Sequence, residues 1–173
     1  ASILPEVESL PRSILFWRSF THWIGGMGVL VFLLILLPMT GGFSMNIMKA
    51  ESPGPSVSRL VPKVRTTAKI LYSIYIGMTI IQVVLLVLGK MSLFDALTLT
   101  FGTAGTGGFG IRNDSVGSFS SYHQIVTTIF MILFGINFNA YYFILLGKAK
   151  AAFKIEEVRG YLAIIGVGTL AIA

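Results

Sequence analysis

Four apolar segments separated by polar stretches set the pattern of this chain. They cover residues 14–37, 70–88, 125–146 and 161–173. Arg18 and His22 interrupt the first segment near its start, whereas the second and third segments contain no charged residue. A helix needs about 20 apolar residues to cross the hydrocarbon core of a bilayer. The pattern therefore predicts three membrane-spanning helices, followed by an apolar run that is too short to span.

Two basic loops predict the orientation of these helices. Residues 49–69 carry five lysines or arginines and one glutamate, and residues 147–160 carry four basic and two acidic residues. Because basic residues that flank spans are retained in the cytoplasm, both loops are expected on that side. Residues 90–121, between the second and third spans, must then begin and end outside the cell. They either stay outside or enter the membrane and return.

The start of this stretch predicts a short helix that enters the membrane. Ser92 and Asp95 have the spacing of a helix N-cap and its first turn, and apolar residues follow as far as Phe101. A helix over residues 92–103 would be about 18 Å long and would reach about halfway through a bilayer. A helix that lies on the outer surface is the alternative.

A glycine-rich segment follows this helix. Five of the nine residues from Gly102 to Gly110 are glycine. Glycine permits the torsions that turn successive carbonyl oxygens toward one axis, where they can replace the water shell of an alkali cation. Residues 105–110 also match the GxGxxG pattern of dinucleotide-binding folds. That pattern needs a preceding strand, and here a helix is predicted, so the segment favours a cation path.

Composition and charge exclude several classes of function. Hydrophobic residues make up 54% of the chain and charged residues 12%, and most of the basic residues behind the net charge of +6 flank apolar segments. This distribution argues against a nucleic-acid-binding surface. The chain has no cysteine, which excludes disulfides and thiolate chemistry. The seven carboxylates are scattered, so no catalytic set and no enzyme is predicted.

Polar and small residues inside the spans have two interpretations each. Asn137 either lines a pore or forms a hydrogen bond to a neighbouring helix, and both remain open. Gly25, Gly26 and Gly28 are expected to let a neighbouring helix approach closely, with a hinge as the alternative.

Four residues are expected near the outer membrane surface. His22 and Arg18 are interpreted as interfacial anchors, with the arginine extending to the headgroups. Arg112 and Asp114, which follow the glycine-rich segment, are expected to pair with each other, although they could also tune ion entry.

Several motifs in order resemble one family of transporters. The chain contains WRSFTHWIGGMGVLVF, then KAESPGP, then TAGTGGFG, then GINFNAYYF. In this order they resemble the Trk/Ktr/HKT superfamily of potassium transporters, and in particular its TrkH-like bacterial membrane subunits. The resemblance implies an all-α integral membrane protein, built from four potassium-channel-like M1–pore helix–M2 repeats, each with a re-entrant filter loop.

The resemblance also implies how the chain is divided. The implied parts are the end of the first repeat (1–48, with its M2 helix at 14–37), a cytoplasmic loop (49–69), the complete second repeat (70–146), a cytoplasmic linker (147–160) and the start of the third-repeat M1 (161–173). Within the second repeat, M1 is 70–89, the pore helix 92–103, the filter 104–110 and M2 122–146.

The function implied by the resemblance is potassium uptake through a carbonyl-lined selectivity filter. Thr106, Gly107, Gly108 and Phe109 would provide backbone carbonyls for K⁺, with Gly108 at the position of the filter glycine. No cofactor is implied, and K⁺ is the transported ion. Implied partners are membrane lipid, a second copy in a homodimer, and cytoplasmic nucleotide-binding regulatory subunits of the TrkA/KtrA type. The implied location is the bacterial inner membrane.

Because one repeat supplies only one of four filter loops, this stretch alone is not expected to conduct. A non-conducting structural or assembly subunit is the main alternative. An ion-coupled carrier is a third, although it would need polar side-chain ligands that are scarce in this sequence.

Overall fold

Every regular element of the described chain is an α-helix. The computed structural model describes residues 6–28, 64–147 and 149–172. Its helices are α1 (Arg12–Gly26), α2 (Val64–Leu88), α3 (Leu93–Ala104), α4 (Ser121–Gly135), α5 (Phe138–Leu145), α6 (Ala149–Ala152) and α7 (Glu156–Ile172). The first predicted span beyond Gly28 and the loop at 49–63 lie outside the described residues.

Helix α2 is the central element against which the others are placed. It has 25 residues, which corresponds to a length of about 37 Å. Its stretch Ala68–Leu88 is the one described helix that is long and apolar enough to cross a membrane. Helices α4 and α5 meet the same criterion only if they are counted together as one bent span.

Helix α3 begins at the capping motif that the sequence indicated. The hydroxyl of Ser92 accepts a hydrogen bond from the backbone N–H of Asp95 at 3.1 Å, which confirms the predicted N-cap. Along α3, Ala96 and Leu99 pack with Leu86 of α2, and Ala104 at the other end packs with Tyr75. Since Tyr75 lies eleven residues before Leu86, α3 follows about 16 Å of α2 and ends opposite its middle.

The chain after α3 returns to the end of α2 at which α3 begins. Arg112 lies 3.8 Å from Asp95 in the first turn of α3, measured between Nη2 and Oδ2. At the start of α4, the Tyr122 hydroxyl donates to the Leu85 carbonyl at 3.1 Å. A Cβ added at Gly89 would lie 2.6 Å from the ring of Tyr122. Residues 90–121 therefore enter and leave at the same end of α2.

Helix α1 packs across α3 through aromatic rings. The ring of Phe101 lies 5.9 Å from those of Phe16 and Phe20 and 5.6 Å from that of Trp23. The Tyr75 hydroxyl donates to the Trp23 carbonyl at 2.7 Å, which joins α1 to the middle of α2. These contacts place α1 beside the end of α3.

The third apolar segment is not one continuous helix, and the prediction of an unbroken span over 125–146 is wrong. Helices α4 and α5 meet at an angle of 87°. The break follows from Asn137, whose side chain accepts a hydrogen bond from the Asn139 N–H at 2.9 Å and so starts a new helix. Hydropathy does not reveal this change, because the residues on both sides are equally apolar.

Tyrosine hydroxyls supply partners at the break in this segment. Tyr141 donates to the Leu133 carbonyl at 2.6 Å, and Tyr161 of α7 donates to the Ile132 carbonyl at 3.2 Å. Carbonyls that lose their partners in the helix are costly in an apolar environment unless another donor replaces them. At the bend, these two carbonyls therefore accept hydrogen bonds from tyrosines of α5 and α7.

Candidate functional site

The residues after α3, Gly105 to Gly110, are here called the glycine loop. Its first amides close the end of the helix. The Thr106 N–H donates to the Thr103 carbonyl at 2.8 Å, and the Gly107 N–H donates to the Gly102 carbonyl at 3.0 Å. This pair of bonds is the Schellman motif, which needs a left-handed residue at position 106. The helix end thereby sets the backbone direction at which the glycine loop begins.

Thr106 occupies that left-handed position, with φ of +55°. Glycine is the usual residue there, and a β-branched residue is strained in this region. Strain of this kind is concentrated at functional sites, where the surrounding structure holds it in place. Gly108 has φ of +73°, a torsion that glycine adopts at little cost. The middle of the glycine loop is thus held in two unusual backbone conformations.

The four carbonyls of residues 106–109 have different surroundings. Thr106, Gly107 and Gly108 are exposed, and the carbonyls of Thr106 and Gly107 accept no hydrogen bond from any described residue. The Gly108 carbonyl accepts from the Ser115 hydroxyl at 3.0 Å. The Phe109 carbonyl lies against α3, since a Cβ at Gly102 would approach it to 2.7 Å. The carbonyls of Thr106 and Gly107 are therefore the most available to a ligand.

The backbone of the glycine loop and the adjoining end of α3 favour a cation. The loop contains no charged residue, and its oxygens are neutral backbone carbonyls. The C-terminal end of α3 points at the loop and carries the partial negative charge of the helix dipole. Carbonyl oxygens with this bias can replace part of the hydration shell of an alkali cation.

The ring of Phe109 is held by two residues of α1. The His22 ring lies 5.0 Å from it, between centroids, and the Arg18 guanidinium carbon lies 4.8 Å from its centre. The anchor role of Arg18 and His22 stays a prediction, and both side chains contact the glycine loop through this ring. Their spacing of four residues places them on one face of a helix, which was a usable signal.

Gly26, one further turn along α1, lies on the same face. A Cβ added there would be 2.5 Å from the Tyr75 hydroxyl and 2.9 Å from both the Ala104 carbonyl oxygen and the Gly105 Cα. This close approach confirms the packing interpretation for Gly26. A Cβ at Gly25 would meet nothing within 4 Å among the described residues.

Asn137 lies in another part of the structure. Its amide donates to the Glu157 carboxylate of α7, so the structure contains the helix-to-helix hydrogen bond that was one of its two interpretations.

Arg112 and Asp114 are not directly paired. Ser118 lies between them, accepting from Arg112 at 3.0 Å and donating to Asp114 at 3.3 Å, while Arg112 faces Asp95.

Comparisons with known proteins agree on one family. A family model named TrkH and described as a cation transport protein matches residues 1–166. The Trk system potassium uptake protein TrkH of Vibrio parahaemolyticus is 36% identical over 144 residues, which cover 82% of this chain and 30% of the relative. TrkH of Escherichia coli K12 is 33% identical over 167 residues, or 95% of this chain and 35% of the relative.

The similarity extends to an archaeal sequence and to a solved structure. An uncharacterized cation transporter of Methanocaldococcus jannaschii is 38% identical over 148 residues, covering 85% of this chain and 30% of the relative. The crystal structure of the potassium transporter TrkH from Vibrio parahaemolyticus matches with a TM-score of 0.66 at 31% identity, over 91% of this chain and 31% of that one.

The chain spans about a third of the length of these relatives. Within that part, the match to a solved membrane transporter agrees with the all-α membrane fold expected from the sequence. The family transports cations, which agrees with the expectation that the chain is not an enzyme. On the family match across nearly its whole length, this chain belongs to the TrkH family of cation transport proteins.

Proposed function

We propose that the glycine loop forms one part of a potassium selectivity filter, in the pore-forming subunit of a Trk/Ktr-type uptake system. Thr106, Gly107, Gly108 and Phe109 would present backbone carbonyls to K⁺. The observation that carries the proposal is the position of the loop, which begins where α3 ends opposite Tyr75, in the middle of the membrane-length helix α2.

The carbonyls support this assignment unequally. Those of Thr106 and Gly107 have no hydrogen-bond partner among the described residues, so they are free to coordinate an ion. The Gly108 carbonyl has one bond from Ser115 and keeps a second lone pair. The Phe109 carbonyl faces Gly102, so we expect it to contribute least.

Potassium is proposed as the transported ion because relatives from Vibrio parahaemolyticus and Escherichia coli are named potassium uptake proteins. The remaining filter loops would come from other repeats or from further copies. By the same resemblance, we propose a homodimer in the bacterial inner membrane. The segments 49–69 and 147–160 would face cytoplasmic nucleotide-binding regulatory subunits, and the repeat boundaries given above belong to this proposal.

The experiment is rubidium uptake by the full-length protein in liposomes, comparing wild type with Gly108→Ser. A side chain at Gly108 is strained at φ of +73°, and its Cβ would lie 3.1 Å from the Met131 methyl group. We expect loss of uptake, or a new preference for sodium, because the neighbouring carbonyls would be displaced.

Gly147→Ser is the matched control. Gly147 has the same φ of +73°, but a Cβ there meets nothing within 4 Å in the described part of the chain, and the residue lies after α5, away from the glycine loop. It should carry a similar backbone strain and leave uptake unchanged. If Gly108→Ser assembles normally and transports like wild type, residues 106–109 are outside the ion path. A structural or assembly subunit would then explain the chain better.

A further inference from the structure

The imidazole of His22 lies directly behind the glycine loop. A Cβ added at Gly105 would be 2.6 Å from His22 Nε2 and 2.9 Å from the His22 carbonyl oxygen. At Gly107 the nearest atom to an added Cβ is His22 Nε2, with His22 Cε1 at 3.1 Å. One edge of the ring therefore contacts the backbone at two positions of the glycine loop.

The His22 ring contacts the side of the loop on which Gly105 and Gly107 would carry side chains if they were other residues. An added Cβ marks that side of the backbone, and at Gly105 and Gly107 it points into the ring. Thr106, Gly107 and Gly108 are nevertheless exposed, so the loop has one supported face and one open face. An ion would approach the exposed part of the loop.

Packing, and not hydrogen bonding, holds the ring in this position. His22 Nε2 is buried and has no hydrogen-bond partner in the described chain. The ring packs against Phe109, whose ring also contacts Arg18 one turn earlier in α1. Burying a nitrogen without a hydrogen-bond partner is unfavourable. The position of the His22 ring against Gly105 and Gly107 therefore requires a compensating role.

The glycine loop has a flexible backbone, and this flexibility explains why a buried ring packs against it. Four of its six residues are glycine, whose backbone has the most freedom to rearrange. Discrimination between K⁺ and Na⁺ depends on how carbonyl oxygens are arranged around the ion. The glycine loop therefore needs contact with a neighbouring side chain to keep its carbonyls in place.

We infer that His22 is a positioning residue for ion selectivity, which supports the backbone at Gly105 and Gly107 from behind. The inference rests on the proposed filter function. It also assigns to the first repeat, through α1, a role in shaping the filter loop of the second. His22 does not touch the ion, and it acts only through the position of the loop.

The test compares K⁺ and Na⁺ permeation by the full-length protein in liposomes. For His22→Ala we expect the K⁺/Na⁺ permeability ratio to fall about tenfold, a loss of ~1.4 kcal/mol in discrimination. His22→Gln should restore the ratio, because the glutamine amide reaches the position of Nε2 with a similar volume. Thr21→Ala is the control, since the Thr21 side chain is exposed and, among the described residues, donates a hydrogen bond only to the Arg18 carbonyl.

A structural role alone would reduce both fluxes together. If His22→Ala lowers K⁺ and Na⁺ uptake in proportion and keeps their ratio, the inference is wrong. Should His22→Ala fail to assemble, His22→Asn provides the test, because its shorter side chain withdraws from Gly107. The inference then requires a lower ratio for His22→Asn than for His22→Gln, and equal ratios would overturn it.

Gly108→Ser in the same assay separates this inference from the proposed function. If Gly108→Ser changes the ratio and His22→Ala does not, the filter stands and the role of His22 is wrong. If neither substitution changes transport, the glycine loop is not the filter, and both proposals fail.

Discussion

At the scale of single residues, Gly26 permits a close approach between two helices that a side chain would prevent. Gly26 brings the backbone of α1 against the end of α3, where a Cβ would lie 2.9 Å from the Ala104 carbonyl oxygen. This contact keeps His22, one turn earlier, against the glycine loop. Gly25 is adjacent in sequence, but a Cβ there has no neighbour within 4 Å among residues 6–28, 64–147 and 149–172.

We predict that Gly26→Ala lowers the stability of the protein and Gly25→Ala does not. Both substitutions bring the same gain in helix propensity, so their difference isolates the steric clash. Overpacking of this kind costs about 1–3 kcal/mol. The measurement is the apparent melting temperature of the full-length protein in detergent. Equal melting temperatures for the two variants would show that α1 does not approach α3 closely at Gly26.

The residues of the glycine loop could be predicted from the sequence, whereas the residues that support it could not. Five glycines among nine residues interrupt a predicted helix, and that signal is local. The contacts of His22 and Arg18 with Phe109 join segments that are far apart in the sequence. Their spacing of four residues indicated a shared face of one helix, but it did not indicate which distant segment that face contacts.

At the scale of elements, the bend between α4 and α5 is the main departure from the sequence pattern. Residues 125–146 are mostly apolar and contain no charge, and the mean hydropathy of a segment does not distinguish a straight helix from a bent one. The signal for the bend was Asn137, since asparagine favours the N-cap of a new helix. By contrast, Ser92 and Asp95 predicted the start of α3 correctly, because capping is a short-range interaction.

We predict that Asn137→Ala destabilises the protein. It removes the cap of α5, which is worth about 1 kcal/mol, and leaves Glu157 without its amide partner. Asn139→Ala is the matched control, because the Asn139 side chain is exposed and makes no hydrogen bond with the described residues. Thermal unfolding of the two variants in detergent is the measurement. A loss of stability in Asn139→Ala as large as in Asn137→Ala would contradict the account of the bend.

At the scale of the whole molecule, the described helices are arranged so that residues 90–121 enter and return at one end. The sequence predicted this arrangement from the charges of two loops, since both basic loops must share a side. Contacts of Arg112 with Asp95, and of Tyr122 with Leu85, bring the two ends of this stretch together. From the same charge bias, we propose that the linker before α7 lies on the opposite side of the membrane.

We predict that cysteines at positions 121 and 154 are labelled from opposite sides of the membrane. The chain has no native cysteine, so Ser121→Cys and Lys154→Cys each add a single reactive group at an exposed position. In a full-length protein without other cysteines, an impermeant maleimide added to intact cells should label position 121 alone. Position 154 should react only after the membrane is opened. Labelling of both positions from outside would contradict the predicted orientation.

The proposed function requires that the glycine loop coordinates the transported ion, and a heavy alkali-like cation can reveal this contact in a crystal. The measurement is a crystal structure of the full-length protein with thallium or rubidium, in which anomalous density marks the ion. The account predicts density at coordination distance from the carbonyl oxygens of Thr106 and Gly107. Ion density elsewhere along the path, with none beside the glycine loop, would contradict it.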